Sequence, residues 1–276
     1  MTDSTFVGAT PSPSTRSPAE LRARLTEDLI GAAARGEFVA HFQPQLDLAT
    51  GRIVAAEALC RWRHPSIGFV APSLFIGLAE QSSVIHEVGE FMLDESTVFL
   101  QKTNDLGLSL DVAVNVSPSQ LTSSRVVERL APQIEAASLD PGRLTLEITE
   151  SVEITDLELM AARLHALRVL GVGISIDDFG AGHSSTGQLT RLPVTEVKID
   201  RSLIQGRSAP QRDQLQLVMA LARERDLRVI AEGVENLEQK QYAISVGCHR
   251  AQGYLMGKAM PFSWFESYLS LQGDPR

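Results

Sequence analysis

Residues 172–178 read Val172-Gly173-Ile174-Ser175-Ile176-Asp177-Asp178, and residues 196–200 read Glu196-Val197-Lys198-Ile199-Asp200. Alternate residues of a β-strand face opposite sides. Val172, Ile174 and Ile176 therefore share a branched apolar face, and Gly173, Ser175 and Asp177 share the other. Val197 and Ile199 oppose Glu196, Lys198 and Asp200 in the same way. Leu110–Val116 sets Val112, Val114 and Val116 against Asp111, Ala113 and Asn115. Leu144–Thr149 sets Leu144, Leu146 and Ile148 against Thr145, Glu147 and Thr149. In each run the apolar face suits packing under helices. The other face is small or polar and ends in a functional group.

Working outward, further strands are expected at Arg228–Glu232 and near Ala251–Leu255, with helices such as Leu157–Leu170 and Gln214–Arg225 between strands. Strand–helix alternation predicts a parallel sheet with helices outside. Two earlier runs, Phe38–Leu48 and Arg52–Arg61, are separated only by Ala49, Thr50 and Gly51. So short a connection joins antiparallel neighbours, because a parallel crossover needs about a dozen residues. The expectation is an α/β, TIM-type (β/α)8 barrel with an antiparallel first strand. An open doubly wound sheet is the alternative, weakened because no glycine-rich dinucleotide loop follows a strand. Before the hairpin, Leu21, Leu25 and Leu29 form one helical face, which Gly36 is expected to end. Residues 1–19, rich in Ser, Thr and Pro, read as a disordered tail. The single domain then spans 20–276.

The 276 residues are 43% hydrophobic and 21% charged, an ordinary globular balance, and 276 is a reasonable length for one such barrel. A net charge of −9 argues against duplex nucleic acid as a partner. The two cysteines, Cys60 and Cys248, make neither a disulfide framework nor a zinc motif. No apolar run approaches the roughly 18 residues of a membrane span, and no signal peptide is evident. A cytoplasmic protein without membrane contact is expected.

Glu57 lies in an apolar strand between Val54-Ala55-Ala56 and Ala58-Leu59, and Glu232 follows Val229-Ile230-Ala231. In this fold the catalytic groups come from the C-terminal ends of several strands. Glu57, Asn115, Glu147, Asp177, Asp178, Glu232, Lys198 and Gln252 should converge there. The group has five carboxylates and one lysine, so it needs further positive charge. All-oxygen ligation selects hard divalent ions, Mg²⁺ or Mn²⁺ before Zn²⁺. The pair Asp177–Asp178 suits bridging two ions, as two-metal phosphodiester chemistry requires. Any one strand-end carboxylate is more often a helix cap or ion-pair partner. Six such polar residues on one face are not so explained. Trp62, Trp264 and Phe265 read as packing residues and Cys60 as buried.

Glu57-Ala58-Leu59, within EALCRW, opens an ordered set of motifs: VAVNVSPSQL, LTLEITES, ISIDDFGAGHSS, RLPVTEVKIDRS, VIAEGVE and GCHRAQGYL. The set resembles the EAL-domain cyclic di-GMP phosphodiesterases across roughly residues 20–270. The resemblance implies hydrolysis of cyclic di-GMP to linear 5′-pGpG, which lowers the level of a second messenger. Glu57, Asn115, Glu147 and Asp177 would hold a first metal. Asp177 and Asp178 would hold a second, with help from Glu232. Lys198, Glu232 and Glu57 would carry the catalytic work. Gln43, Arg61, Asp200, Glu235 and Gln252 would lie near substrate, and Glu150 would pin the loop after Asp178. A homodimer is also implied.

That loop departs from the family pattern. Ala181 stands where Thr is usual, His183 where an aromatic is usual, and Thr186 and Gln188 where Leu and Tyr are frequent. Gly77 stands where Pro is common. A catalytically weak EAL domain, acting as a cyclic di-GMP receptor or protein-interaction module, is therefore the rival reading. Another two-metal hydrolase on the same barrel is the third.

Overall fold

The computed structural model describes residues 17–122, 124–149, 156–181, 186–206 and 208–271. Its strands are β1 (Phe38–Asp47), β2 (Ile53–His64), β3 (Gly68–Val70), β4 (Asp111–Asn115), β5 (Leu144–Thr149), β6 (Gly173–Phe179), β7 (Glu196–Ile199), β8 (Arg228–Ala231) and β9 (Arg250–Gln252). The sheet runs β1-β9-β8-β7-β6-β5-β4-β2-β3, and a further β1–β2 pairing closes it. The ring holds eight strands, with β3 extending β2 outside it. β1 is antiparallel to both β2 and β9, and the remaining neighbours in the ring are parallel. The chain is thus the expected α/β barrel with a reversed first strand.

Local chemistry sets the hairpin. Asp47 Oδ1 accepts from the Thr50 amide and hydroxyl, each at 2.7 Å, and Gly51 takes φ 72°. The β1–β2 register pairs Gln43 with Glu57, and β1–β9 pairs Gln45 with Gln252. The apolar strand faces pack under helices: Val112, Val114, Ile174, Ile176, Val197 and Ile199 are fully buried. Outside β1, Phe42 stacks on Phe99 at 4.6 Å and meets Phe262 and Phe265 edge-on. That aromatic cluster fastens helices Val84–Asp105 and Phe262–Leu271 to the reversed strand.

Four expectations need correction. Helix Pro18–Leu29 begins inside the expected tail, because Ser17 and Glu20 form a reciprocal capping box; residues 1–16 lie outside the described residues. That helix ends at Leu29, not Gly36, and Leu21 is exposed while Leu25 and Leu29 are buried. The last strand is Arg250–Gln252 rather than Ala251–Leu255, since beyond Gln252 the chain packs its backbone against Val234. Trp264 is 70% exposed and is no packing residue, whereas Trp62 and Phe265 are fully buried.

Candidate metal centre and substrate cleft

Lys198 stands on the inner face of β7, fully buried. Its Nζ lies 2.8 Å from Asp177 Oδ1, 2.8 Å from Glu232 Oε1, 3.0 Å from Glu147 Oε2 and 3.3 Å from Glu57 Oε2. Those carboxylates come from β6, the end of β8, β5 and β2. Alternation and strand register alone bring them together, as the sequence pattern requires.

Asp178 arrives differently. In a regular strand Asp177 and Asp178 would point to opposite sides. The β6–β7 register shifts between Ile176 and Phe179, and Asp178 adopts φ 55°. A bulge of this kind re-aims a side chain. Both carboxylates face one cavity of about 560 Å³, which Gln43, Asp200, Glu235 and Gln252 also line.

Asn115 and Gln252 hold Glu57 from two sides. Asn115 Nδ2 donates to Glu57 Oε1 at 2.7 Å, and Gln252 Nε2 donates to Glu57 Oε2. Gln45 Nε2 donates to Gln252 Oε1 at 3.0 Å, and Gln43 Oε1 accepts from Gln252 Nε2 at 3.3 Å. The sequence reading missed Gln45. Its signal was a polar residue two positions from Gln43 on the same strand face. Tyr254 and Arg201, each near an expected site residue, also line the cavity and were missed.

Asp200 combines two duties, lining the cavity and accepting from the Ser202 amide at 2.9 Å as the cap of helix Arg201–Gln205. Glu235 is exposed at the rim. Arg61 does not line this cavity. It lines an adjoining, more apolar one of about 260 Å³, and Leu59 borders both. Glu150 and His183 lie outside the described residues, as do residues 182–185 of the departing loop.

The site carries more negative charge than one ammonium offsets. Burial alone would lower the Lys198 pKa, but Asp177, Glu147, Glu232 and Glu57 hold it well above its ordinary value. Burial, then Glu57, pushes Glu147 well up against the pull of Lys198. Burial and Asp177 do the same to Glu232. Burial, then Asp177, raises Asp178 to about 6. Glu57 alone among them goes down: burial opposes it, but Lys198 and the Gln252 and Asn115 hydrogen bonds prevail.

These residues fit divalent cations. Among the described residues, Glu57, Glu147 and Asp177 offer oxygens within 4.8 Å of one another, and so do Asp177, Asp178 and Glu232. Asp177 belongs to both sets. Glu147 Oε1 is buried with no hydrogen-bond partner among the described residues, an acceptor left for a cation. All the donors are oxygen, the choice of hard metals.

The EAL domain family profile matches residues 24–259, and the chain belongs to that family. It is 37% identical over 246 residues to the bifunctional diguanylate cyclase/cyclic di-GMP phosphodiesterase MucR of Pseudomonas aeruginosa, covering 88% of this chain and 36% of MucR. It is 34% identical over 245 residues to the cyclic di-GMP phosphodiesterase RocR of the same organism, covering 88% of this chain and 62% of RocR. The chain thus spans less than two thirds of either relative. Its fold is similar to the solved PaMucR phosphodiesterase–c-di-GMP complex, with a TM-score of 0.81 and 37% identity over 88% of this chain and 99% of that one. No described helix is long and apolar enough to cross a membrane.

Proposed function

We propose that this chain is a metal-dependent phosphodiesterase that hydrolyses cyclic di-GMP to linear 5′-pGpG. The observation that carries the reading is the pair of carboxylate triads sharing Asp177 beside a buried lysine. The names of MucR and RocR and the ligand of the PaMucR complex supply the substrate class.

Glu57, Asn115, Glu147 and Asp177 would hold one Mg²⁺ or Mn²⁺ ion, and Asp177, Asp178 and Glu232 a second. Asn115 donates through Nδ2 to Glu57, which leaves its carbonyl oxygen for the ion. When bound, the ions would neutralise charge on the phosphate oxygens and make the attacking water more acidic. The protein's own groups do the rest. Lys198 orients the water and steadies charge on the phosphate. Glu232, beside Asp177 and 2.8 Å from the Lys198 ammonium, is placed to take the water's proton. The water oxygen joins phosphorus as the P–O3′ bond breaks; the leaving 3′ oxygen takes a proton from solvent to become a hydroxyl, and Glu232 returns the proton it took to solvent. Gln43, Asp200, Glu235 and Gln252 bound the substrate in the cleft, Gln252 mainly by fixing Glu57. Arg61 lines the adjoining, more apolar cavity, where a guanine base would stack on its flat guanidinium.

The reading includes one EAL domain that opens with helix Pro18–Leu29, a homodimer, and Glu150 as a support of the loop after Asp178. Two buried free thiols, Cys60 and Cys248, support a cytoplasmic location. Glu57→Ala tests the assignment. It is expected to abolish formation of linear dinucleotide, measured by chromatography, with the circular dichroism spectrum retained. Undiminished product would overturn the site, and loss of helical signal would point to a structural role for Glu57.

A further inference from the structure

We infer that Arg201 binds the second phosphodiester of the cyclic dinucleotide, the one that is not cut. The inference rests on the proposed function and adds a specificity-determining residue to it. A cyclic dinucleotide carries two phosphodiesters, each with one negative charge. The metal centre takes one. The other must sit in the same cavity, whose walls include Glu57, Asp177, Asp178, Asp200, Glu232 and Glu235. Against those carboxylates a bare phosphodiester is repelled unless a cation stands by it.

Two cationic side chains line that cavity, Lys198 and Arg201. Lys198 is fully buried, and its ammonium already lies within 3.3 Å of four carboxylates. It has no reach toward a distant anion. Arg201 is exposed at the mouth, where a guanidinium can turn inward. Its planar fork matches two phosphate oxygens at once.

The backbone beneath Arg201 is fixed. Arg201 is the first residue of helix Arg201–Gln205, capped by Asp200. Its stem lies across the turn after Glu232: a Cβ added at Gly233 would stand 2.4 Å from Arg201 Cβ and 3.4 Å from its Cγ and Cδ. Only glycine allows that approach. Gln205 Nε2 donates to the Gly233 carbonyl at 2.8 Å and ties the same turn to the same helix. The stem of Arg201 is thus anchored against the residue that follows Glu232, with its guanidinium left at the cavity mouth.

The test compares wild type, Arg201→Ala and Arg201→Lys on cyclic di-GMP and on bis(p-nitrophenyl) phosphate, which has a single phosphodiester. Arg201→Ala is expected to raise KM for cyclic di-GMP about tenfold with kcat changed less than about threefold. Arg201→Lys should recover part of that loss. The same kcat/KM loss on both substrates would mean a structural role and overturn the inference, as would an unchanged KM for cyclic di-GMP. If wild type fails to turn over cyclic di-GMP, the function proposal fails separately. Calorimetric binding of cyclic di-GMP in Ca²⁺ then decides: an Arg201→Ala Kd about tenfold weaker upholds the inference, and an equal Kd or no binding by wild type overturns it.

Discussion

Lys198 is the counter-charge around which the other side chains are arranged. Removing one partner of a buried charge cluster leaves the rest uncompensated. Lys198→Met is expected to destabilise the chelated protein by about 3 kcal/mol in urea unfolding. Glu147→Gln should leave the chelated protein no less stable than wild type, because burial and Glu57 already disfavour the charged form of Glu147, while weakening Mn²⁺ binding. The reverse order of stabilities would contradict this charge balance. Asp178 gives a pH dependence of definite sign. Its carboxyl titrates at about 6 in the folded chain against an ordinary 3.8, so the folded protein holds the extra proton between those values. Stability from that proton is full below the unfolded value and is lost as pH rises through about 6. A cation must displace the same proton, and Glu147 and Glu232 are shifted in the same direction. Calorimetric Mn²⁺ affinity is expected to fall as pH drops from about 7.5 to about 5.5, with a flatter dependence in Asp178→Asn. An affinity independent of pH would contradict the assignment. Strand alternation made Glu57, Asn115, Glu147, Asp177 and Lys198 legible as one inward face. The turning of Asp178 was not legible, since a bulge depends on the neighbouring strand's register. Gln45 carried only the weak signal of a polar residue two positions from Gln43, and its partner Gln252 is far along the chain.

At the scale of elements, the closing seam of the barrel decides whether the site is held. β9 is three residues long, and its Gln252 joins Gln45, Gln43 and Glu57. The next residue, Gly253, runs so close to Val234 that an added Cβ would stand 2.2 Å from the Val234 carbonyl oxygen and 2.3 Å from its nitrogen. Backbone atoms cannot step aside as a side-chain end can. Gly253→Ala is therefore expected to cost about 2–4 kcal/mol of stability and to lower kcat through a displaced Gln252. Urea unfolding and initial rates measure both; a variant of wild-type stability would show that the seam tolerates displacement. The strand cores were readable because branched residues alternate there. The end of β9 was not, since the contact with Val234 that stops the strand after Gln252 comes from another part of the chain. The start of the first helix was misread for a different reason. Ser17 and Glu20 form a capping box, but the Ser- and Pro-rich composition around them masked it.

For the whole molecule, the reversed first strand and the closed ring followed from one short connection and a repeated strand pattern, both local signals. Assembly is not local. The family resemblance gives a homodimer, expected as twice the chain mass by light scattering at assay concentration; a monomer there would refute it. The central claim is that two clusters of oxygen ligands and a buried lysine make a hydrolase for cyclic di-GMP. Chromatography of the products formed by the purified chain tests it most directly, with cyclic di-GMP and Mg²⁺ or Mn²⁺, with and without chelator. Linear 5′-pGpG that forms with metal and is absent with chelator is the predicted result. Substrate left intact with metal present, or product formed equally with chelator, would contradict the account.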